Sequence, residues 1–247
     1  KMVEKPLVSV IMNCFNGEEF IREAIDSVLA QTYDKWELIF WDNQSTDVSS
    51  EIVKSYDDQR IQYFYAPKHT LLYEARNCAI EQSNGELLAF LDVDDWWDSQ
   101  KLEKQVPAFK DNEVGLVYSN FWIYEKGKVK IFSERDLPSG SIWKQLLDHY
   151  TIGLLTAIVR NESLRVIGSF NNKYHIIGDF DAFIRINEIY KSHAIQEPLA
   201  SNRIHGNNES LKNCLKNYKE IEEWLENYFP ERFAGSMRDE LKILKQE

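Results

Sequence analysis

The chain predicts an α/β fold in which a mostly parallel sheet is flanked by helices and followed by a helical tail. Two observations carry this. Short apolar runs alternate with helical patterns through the first half, an order that builds a parallel sheet by right-handed crossovers. Several of those runs also end in polar or acidic residues, at Cys14–Asn16, Asp42 and Asp92–Asp95. Ligands of such sheets sit outside the carboxyl ends of the strands, so these far-separated segments predict one site.

Residues 8–12 read as the first strand. Asn16 then resembles a helix cap with Glu19 three positions on, and Ile21, Ala24, Ile25, Val28 and Leu29 follow at helical spacing. A strand at 37–41 runs into Asp42-Asn-Gln-Ser-Thr-Asp47, a turn-and-cap cluster. A helix over 48–56, a strand at 61–65 and a helix over 73–82 come next. Gly85 punctuates before the apolar run Leu87 to Leu91, which stops abruptly at Asp92, Asp94 and Asp95. Alternation along an extended segment points Asp92 and Asp94 the same way and Val93 back. Two converging carboxylates repel unless a cation joins them, and hard oxygen ligands suit Mg²⁺ or Mn²⁺, which also bridge phosphate oxygens. A solvated acidic turn is the bland alternative for these residues taken alone.

The second half is less regular. Strands are expected at 114–119, 129–132 and 156–159, and helices at 141–149, 162–166 and 179–190. Over 209–229, Leu211, Cys214, Leu215, Tyr218, Ile221, Trp224, Leu225, Tyr228 and Phe229 fall on one helical stripe. This divides the chain into a domain over 1–210, with halves meeting near 97–98, and a helical extension over 211–247 packed on it.

Composition narrows the function. An apolar share of 43% supports a sizeable core, and no apolar run approaches the roughly 20 residues that span a bilayer. The start leads directly into a strand, which predicts no secretory leader. Three widely spaced cysteines predict neither a disulfide framework nor a metal site, but a reduced, cytoplasmic setting. The net charge of −11 argues against nucleic acid as a partner. The mixed charges of the tail helix (Lys212, Lys216 and Lys219 beside Glu220, Glu222, Glu223 and Glu226) suit anionic lipid poorly, so the stripe reads as core or dimer contact.

Six motifs in order resemble the family 2 glycosyltransferases, inverting enzymes with the GT-A nucleotide-sugar fold. They are the opening strand with Asn13-Cys-Phe-Asn16, Ser27-Val-Leu-Ala-Gln-Thr-Tyr33, Trp36-Glu-Leu-Ile-Phe-Trp-Asp42 with its Gln44-Ser-Thr-Asp47 turn, Ala75-Arg-Asn77, Phe90-Leu-Asp-Val-Asp-Asp95, and the later group Ile167-Gly-Ser-Phe170, Gly178-Asp-Phe-Asp181 with Arg185, and Arg203-Ile-His-Gly-Asn-Asn-Glu-Ser210. Asp-x-Asp alone is weak; the ordered set is specific. Gln44 and Leu71 stand where glycine is usual, and Gly178 replaces the Glu of a usual Glu-Asp pair.

The resemblance implies a donor nucleoside diphosphate sugar, a saccharide or lipid-linked acceptor, and Mn²⁺ or Mg²⁺. It makes Asp94 a metal ligand, with His205 completing the shell or contacting the diphosphate and Asp92 supporting the metal or the ribose hydroxyls, and Asp179 the base, with Asp181 in reserve. Asp42 would accept the imide N–H of uracil, or else cap the helix after Ser45. Cys14, Phe15, Asn16, Arg76, Asp92 and Val93 line the nucleotide side. Asp95 would hydrogen-bond the sugar, while Trp96 and Trp97 either stack on acceptor rings or pack the core. Lipid-linked acceptors in the family leave weak association with the inner membrane face open. A nucleotidyltransferase would need a Gly-rich, basic first turn, and a catalytically dead sugar-binding module would not need Asp92, Asp94, Asp179 and His205 together.

Overall fold

The computed structural model describes residues 5–206, 208 and 214–228. It falls into two compact units, Lys1–His205 and Gly206–Glu247.

The first unit is built on β1 (Val8–Cys14), β2 (Trp36–Asp42), β3 (Ile61–Tyr65) and β4 (Leu87–Phe90), paired in parallel in the order β3-β2-β1-β4. Every residue of β1, β2 and β4 is buried. Near-continuous apolar runs of this kind belong to strands covered on both faces. The crossovers carry α1 (Ile21–Leu29), α2 (Ser49–Lys54) and α3 (Leu72–Glu81). The register sets Cys14 beside Asp42 and Asp42 beside Tyr65, so three strands end level and their following loops share one rim.

The later elements extend this sheet. After β5 (Trp96–Trp97) and α4 (Lys101–Gln105), β6 (Val114–Glu125) pairs with β7 (Lys128–Ile131) and with β8 (Ile158–Arg160), and β8 joins β4, all antiparallel. Between β7 and β8 lies α5 (Trp143–Asp148). Next come α6 (Asn161–Val166), α7 (Gly178–Ile189) and β9 (Lys191–Ile204), which runs parallel to β6. The sheet of nine strands is therefore parallel in its first half and mixed in its second.

Three expectations change. Asn16 is not the cap of α1: it takes φ 56°, in the left-handed region, and the helix begins only at Ile21. Thr156 lies in a 3-10 turn, Leu154–Thr156, and the strand begins at Ile158. The long β9 and the two-residue β5 replace what reads as irregular chain.

In the second unit, α8 (Cys214–Tyr228) carries Trp224 stacked on Tyr228 at i,i+4, ring centroids 4.8 Å apart. Leu211, Lys212, Phe229 and the Asn207, Glu209 and Ser210 end of the last motif lie outside the described residues.

Candidate active site

The first part of the rim is a clasp between the loops after β1 and β2. Asn16 Oδ1 accepts from the Thr46 N–H at 2.8 Å, and the Asn16 N–H donates to Ser45 Oγ at 2.9 Å. Asp47 accepts from the backbone of Glu18 and of Ser49, both at 3.0 Å. The Ser-Thr-Asp turn thus uses short polar side chains to satisfy loop N–H groups that no helix or strand serves. Gly17 lets Val93 approach, since a Cβ there would lie 2.8 Å from Val93 Cγ2. Val93 is accordingly a packing contact between the clasp and the acidic turn.

Asp42 lies below this clasp, fully buried, accepting from the Ser45 N–H at 2.7 Å and the Tyr63 hydroxyl at 2.6 Å. One oxygen closes the turn and the other ties the residue to β3, while α2 begins at Ser49 with no side-chain cap, so Asp42 does not cap that helix, and fully buried it presents no exposed edge to a base. Cys14 is buried too, and its carbonyl accepts from Asn43 N–H at 2.8 Å. Phe15 is 53% exposed and meets the His69 ring edge-on at 4.5 Å. His69 in turn is held by Nδ1 to the Asn43 carbonyl at 2.8 Å. An open aromatic corner for a planar ligand is therefore made by Phe15 and His69, and nothing in the sequence marked His69.

The second part is the acidic turn after β4. Asp92 Oδ1 accepts from Arg76 Nη2 at 2.7 Å. Arg76 is 1% exposed, and its Nε and Nη1 find no hydrogen-bond partner. A buried guanidinium with one carboxylate partner is an electrostatic anchor beneath the acidic cluster. Partial withdrawal from water pushes the Asp92 carboxyl up although its side chain stays 40% exposed, Arg76 pulls it back, and the neighbouring Asp94 and Asp179 push it up again.

Asp94 Oδ2 and His205 Nε2 lie 2.9 Å apart, joining the acidic turn to the end of β9. Both are partly exposed. No group of three His, Cys, Asp or Glu side chains gathered as for a metal occurs among the described residues. A carboxylate oxygen and an imidazole nitrogen side by side still fit a hard cation that draws its remaining ligands from water and phosphate, as Mg²⁺ and Mn²⁺ do in phosphate sites.

Asp95 turns the other way. It is buried, accepting from the Arg203 N–H at 2.9 Å and from Asn202 Nδ2 at 3.0 Å. Its role is to tie the turn to β9, which corrects the sugar contact. Trp97 is likewise core: it is buried and donates Nε1–H to the Leu155 carbonyl at 2.8 Å. Trp96 remains partly exposed, packed against Tyr124 with centroids 4.7 Å apart.

The third part is the start of α7. Asp179 Oδ1 accepts from the Tyr73 hydroxyl at 2.7 Å, and Tyr150 Oη lies 3.4 Å from Oδ2. Burial raises the Asp179 carboxyl, while the Tyr73 hydrogen bond and Arg76 lower it. Asp181 is a different case, buried in an i,i+4 ion pair with Arg185 at 2.5 Å. A carboxylate locked there cannot meet an acceptor, so the reserve assignment is withdrawn. Tyr73 and Tyr150 were not singled out from sequence, because tyrosines on apolar segments read as core.

The chain matches the profile described as Glycosyl transferase family 2 over residues 9–170, more than half its length. It belongs to that family. Among relatives of this glycosyltransferase, the UDP-Glc:alpha-D-GlcNAc-diphosphoundecaprenol beta-1,3-glucosyltransferase WfgD of Escherichia coli is 35% identical over 153 residues, 62% of this chain and 60% of WfgD. The chain thus covers less than two thirds of such relatives' length. Of solved structures, the mannosyltransferase PcManGT of Pyrobaculum calidifontis with GDP-Man and Mn²⁺ is similar at TM-score 0.72 and 16% identity, covering 94% of this chain and 66% of that one. Staphylococcus aureus TarS 1-349 with UDP-GlcNAc is similar at TM-score 0.66 and 18% identity, covering 89% and 66%. The fold of this family 2 glycosyltransferase is therefore GT-A. None of its described helices is long and apolar enough to cross a membrane.

Proposed function

We propose that the chain transfers a sugar from a nucleoside diphosphate donor, uridine-based in preference, to a hydroxyl of a saccharide or lipid-linked saccharide, with inversion. The carrying observation is the gathering of Asp94 with His205, and of Asp92 with Arg76 and Asp179, from segments far apart in sequence. The names of WfgD, a UDP-Glc enzyme acting on a diphosphoundecaprenol-linked sugar, and of TarS with UDP-GlcNAc favour uridine and a glycoconjugate product. PcManGT with Mn²⁺ favours a divalent cation.

Asp94 and His205 would hold the cation, which when bound offsets negative charge growing on the departing diphosphate. Phe15 and His69 would face the base, with Asp42, Cys14 and Asn16 fixing the loops that carry them. Asp92, tethered by Arg76, would orient the ribose and sugar. Asp179 in its ionised form would take the proton of the acceptor hydroxyl as that oxygen bonds to the anomeric carbon. The bond to the diphosphate oxygen breaks at the same time, and its electron pair leaves with the diphosphate. A single displacement of this kind inverts the centre and requires one base on the acceptor side. Trp96, still accessible, is the aromatic face available to an acceptor ring.

Calorimetric titration with UDP-, GDP- and dTDP-sugars in Mn²⁺ tests the donor. Uridine nucleotides are expected to bind; tight GDP or dTDP binding with no UDP binding would overturn the choice of base.

A further inference from the structure

We propose that Tyr73 is a positioning residue for Asp179, and that Tyr73 and Gly178 form a matched pair replacing the acidic side chain usual at position 178. The proposal rests on the reading of Asp179 as the base. Its geometry is independent of that reading. Tyr73 is 3% exposed on α3, in the nucleotide half, yet its hydroxyl reaches 2.7 Å to Asp179 Oδ1 at the start of α7. A Cβ built on Gly178 would overlap the Tyr73 ring. The ring therefore occupies the volume that any side chain at 178 would need, and only glycine admits it. Phe170 closes the ring's flank, centroids 5.3 Å apart, and the Arg76 guanidinium lies 5.1 Å from the ring centroid.

The consequence is a link between the two substrate sides. Tyr73 and Arg76 are three residues apart on α3, hence on one helix face. One holds Asp179 and the other holds Asp92. The groups facing Asp179 are Tyr73 and Arg76 from α3, Tyr150 after α5, and Asp92 from the acidic turn. Of these, the Tyr73 hydroxyl makes the short hydrogen bond, and its donation favours the ionised carboxylate. Both tyrosines remain protonated donors, since burial and Asp179 raise them well above the usual phenol range.

The test compares Tyr73→Phe, which keeps the ring, with Asp179→Asn, Gly178→Ala and the double variant Tyr73→Ala/Gly178→Ala. Each is assayed in Mn²⁺ with the UDP-sugar that the wild type turns over. Tyr73→Phe should lower kcat roughly tenfold, as expected for one lost hydrogen bond to an ionised group. It should leave donor KM unchanged and move the acid limb of the kcat profile to higher pH. Gly178→Ala should lower both kcat and melting temperature. The double variant relieves the overlap but leaves the ring's volume empty, so its melting temperature should stay below the wild type's and its kcat should stay low. If Asp179→Asn is inactive while Tyr73→Phe keeps kcat and the acid limb, the positioning role is overturned and the base stands. Recovery of kcat in the double variant overturns it equally. If Asp179→Asn transfers normally, the base reading itself fails, and this inference with it.

Discussion

Gln44 holds φ at 69°, a conformation in which a Cβ crowds the backbone and which glycine adopts freely. Its side chain returns only a 3.3 Å hydrogen bond to the Ala66 carbonyl. Gln44→Gly is therefore expected to stabilise the fold by about 1 kcal/mol. Urea unfolding measures it, and a lower midpoint would show that the side chain matters more than the backbone. Asp181 gives the opposite case. Removing its charge strands Arg185 without its carboxylate partner, so Asp181→Asn should cost about 3 kcal/mol of stability while leaving kcat of the folded fraction within a few-fold. A large loss of kcat at unchanged stability would return Asp181 to the reaction. At this scale the sequence shows residue type but not which way a side chain faces. Asp94 and Asp95 are neighbours of identical chemistry, one meeting His205 at the rim and the other hydrogen-bonded to the β9 backbone. Trp96 and Trp97 divide in the same way.

Among elements, those with local logic were readable. The units from β1 to β4 repeat a buried strand, a turn and a helix, and each declares itself within about a dozen residues. β9 does not. It contains Pro198, alternates poorly, and pairs with β6 through three register shifts, so its identity as a strand depends on a partner distant in sequence. α4 was hidden for a related reason: it is five residues long and docks through a buried lysine. Lys101 Nζ donates to the Thr156 carbonyl at 2.9 Å and also to Gln105. Burial holds this amine well below the usual lysine range. The unfolded chain then binds a proton that the folded chain binds less tightly. Stability should rise with pH as it climbs from the depressed folded value toward the ordinary one near 10.5. Chemical denaturation at pH 7 and pH 9.5 should show a higher unfolding free energy at the upper pH, after correction by Lys101→Met, which lacks this slope. Equal slopes in the two proteins would mean that Lys101 stays charged inside the fold.

For the whole molecule, the site is a meeting of halves. The sheet's first strands bring the clasp and Asp92; β9 brings His205 to Asp94; α7 brings Asp179 to the face of α3. A ligand that binds only the folded state raises its stability by mass action. Mn²⁺ with UDP should therefore raise the melting temperature of the chain by several degrees, and should do so much less in Asp94→Asn. An equal rise in that variant would place the cation elsewhere. The decisive measurement pairs donor binding with acceptor-dependent UDP release in the wild type, Asp94→Asn and Asp179→Asn. Asp94→Asn should lose Mn²⁺-dependent binding and release together. Asp179→Asn should bind donor as the wild type does while release falls by roughly 10²–10⁴-fold. Wild-type release by Asp179→Asn, or full activity of Asp94→Asn in EDTA, would contradict the mechanism.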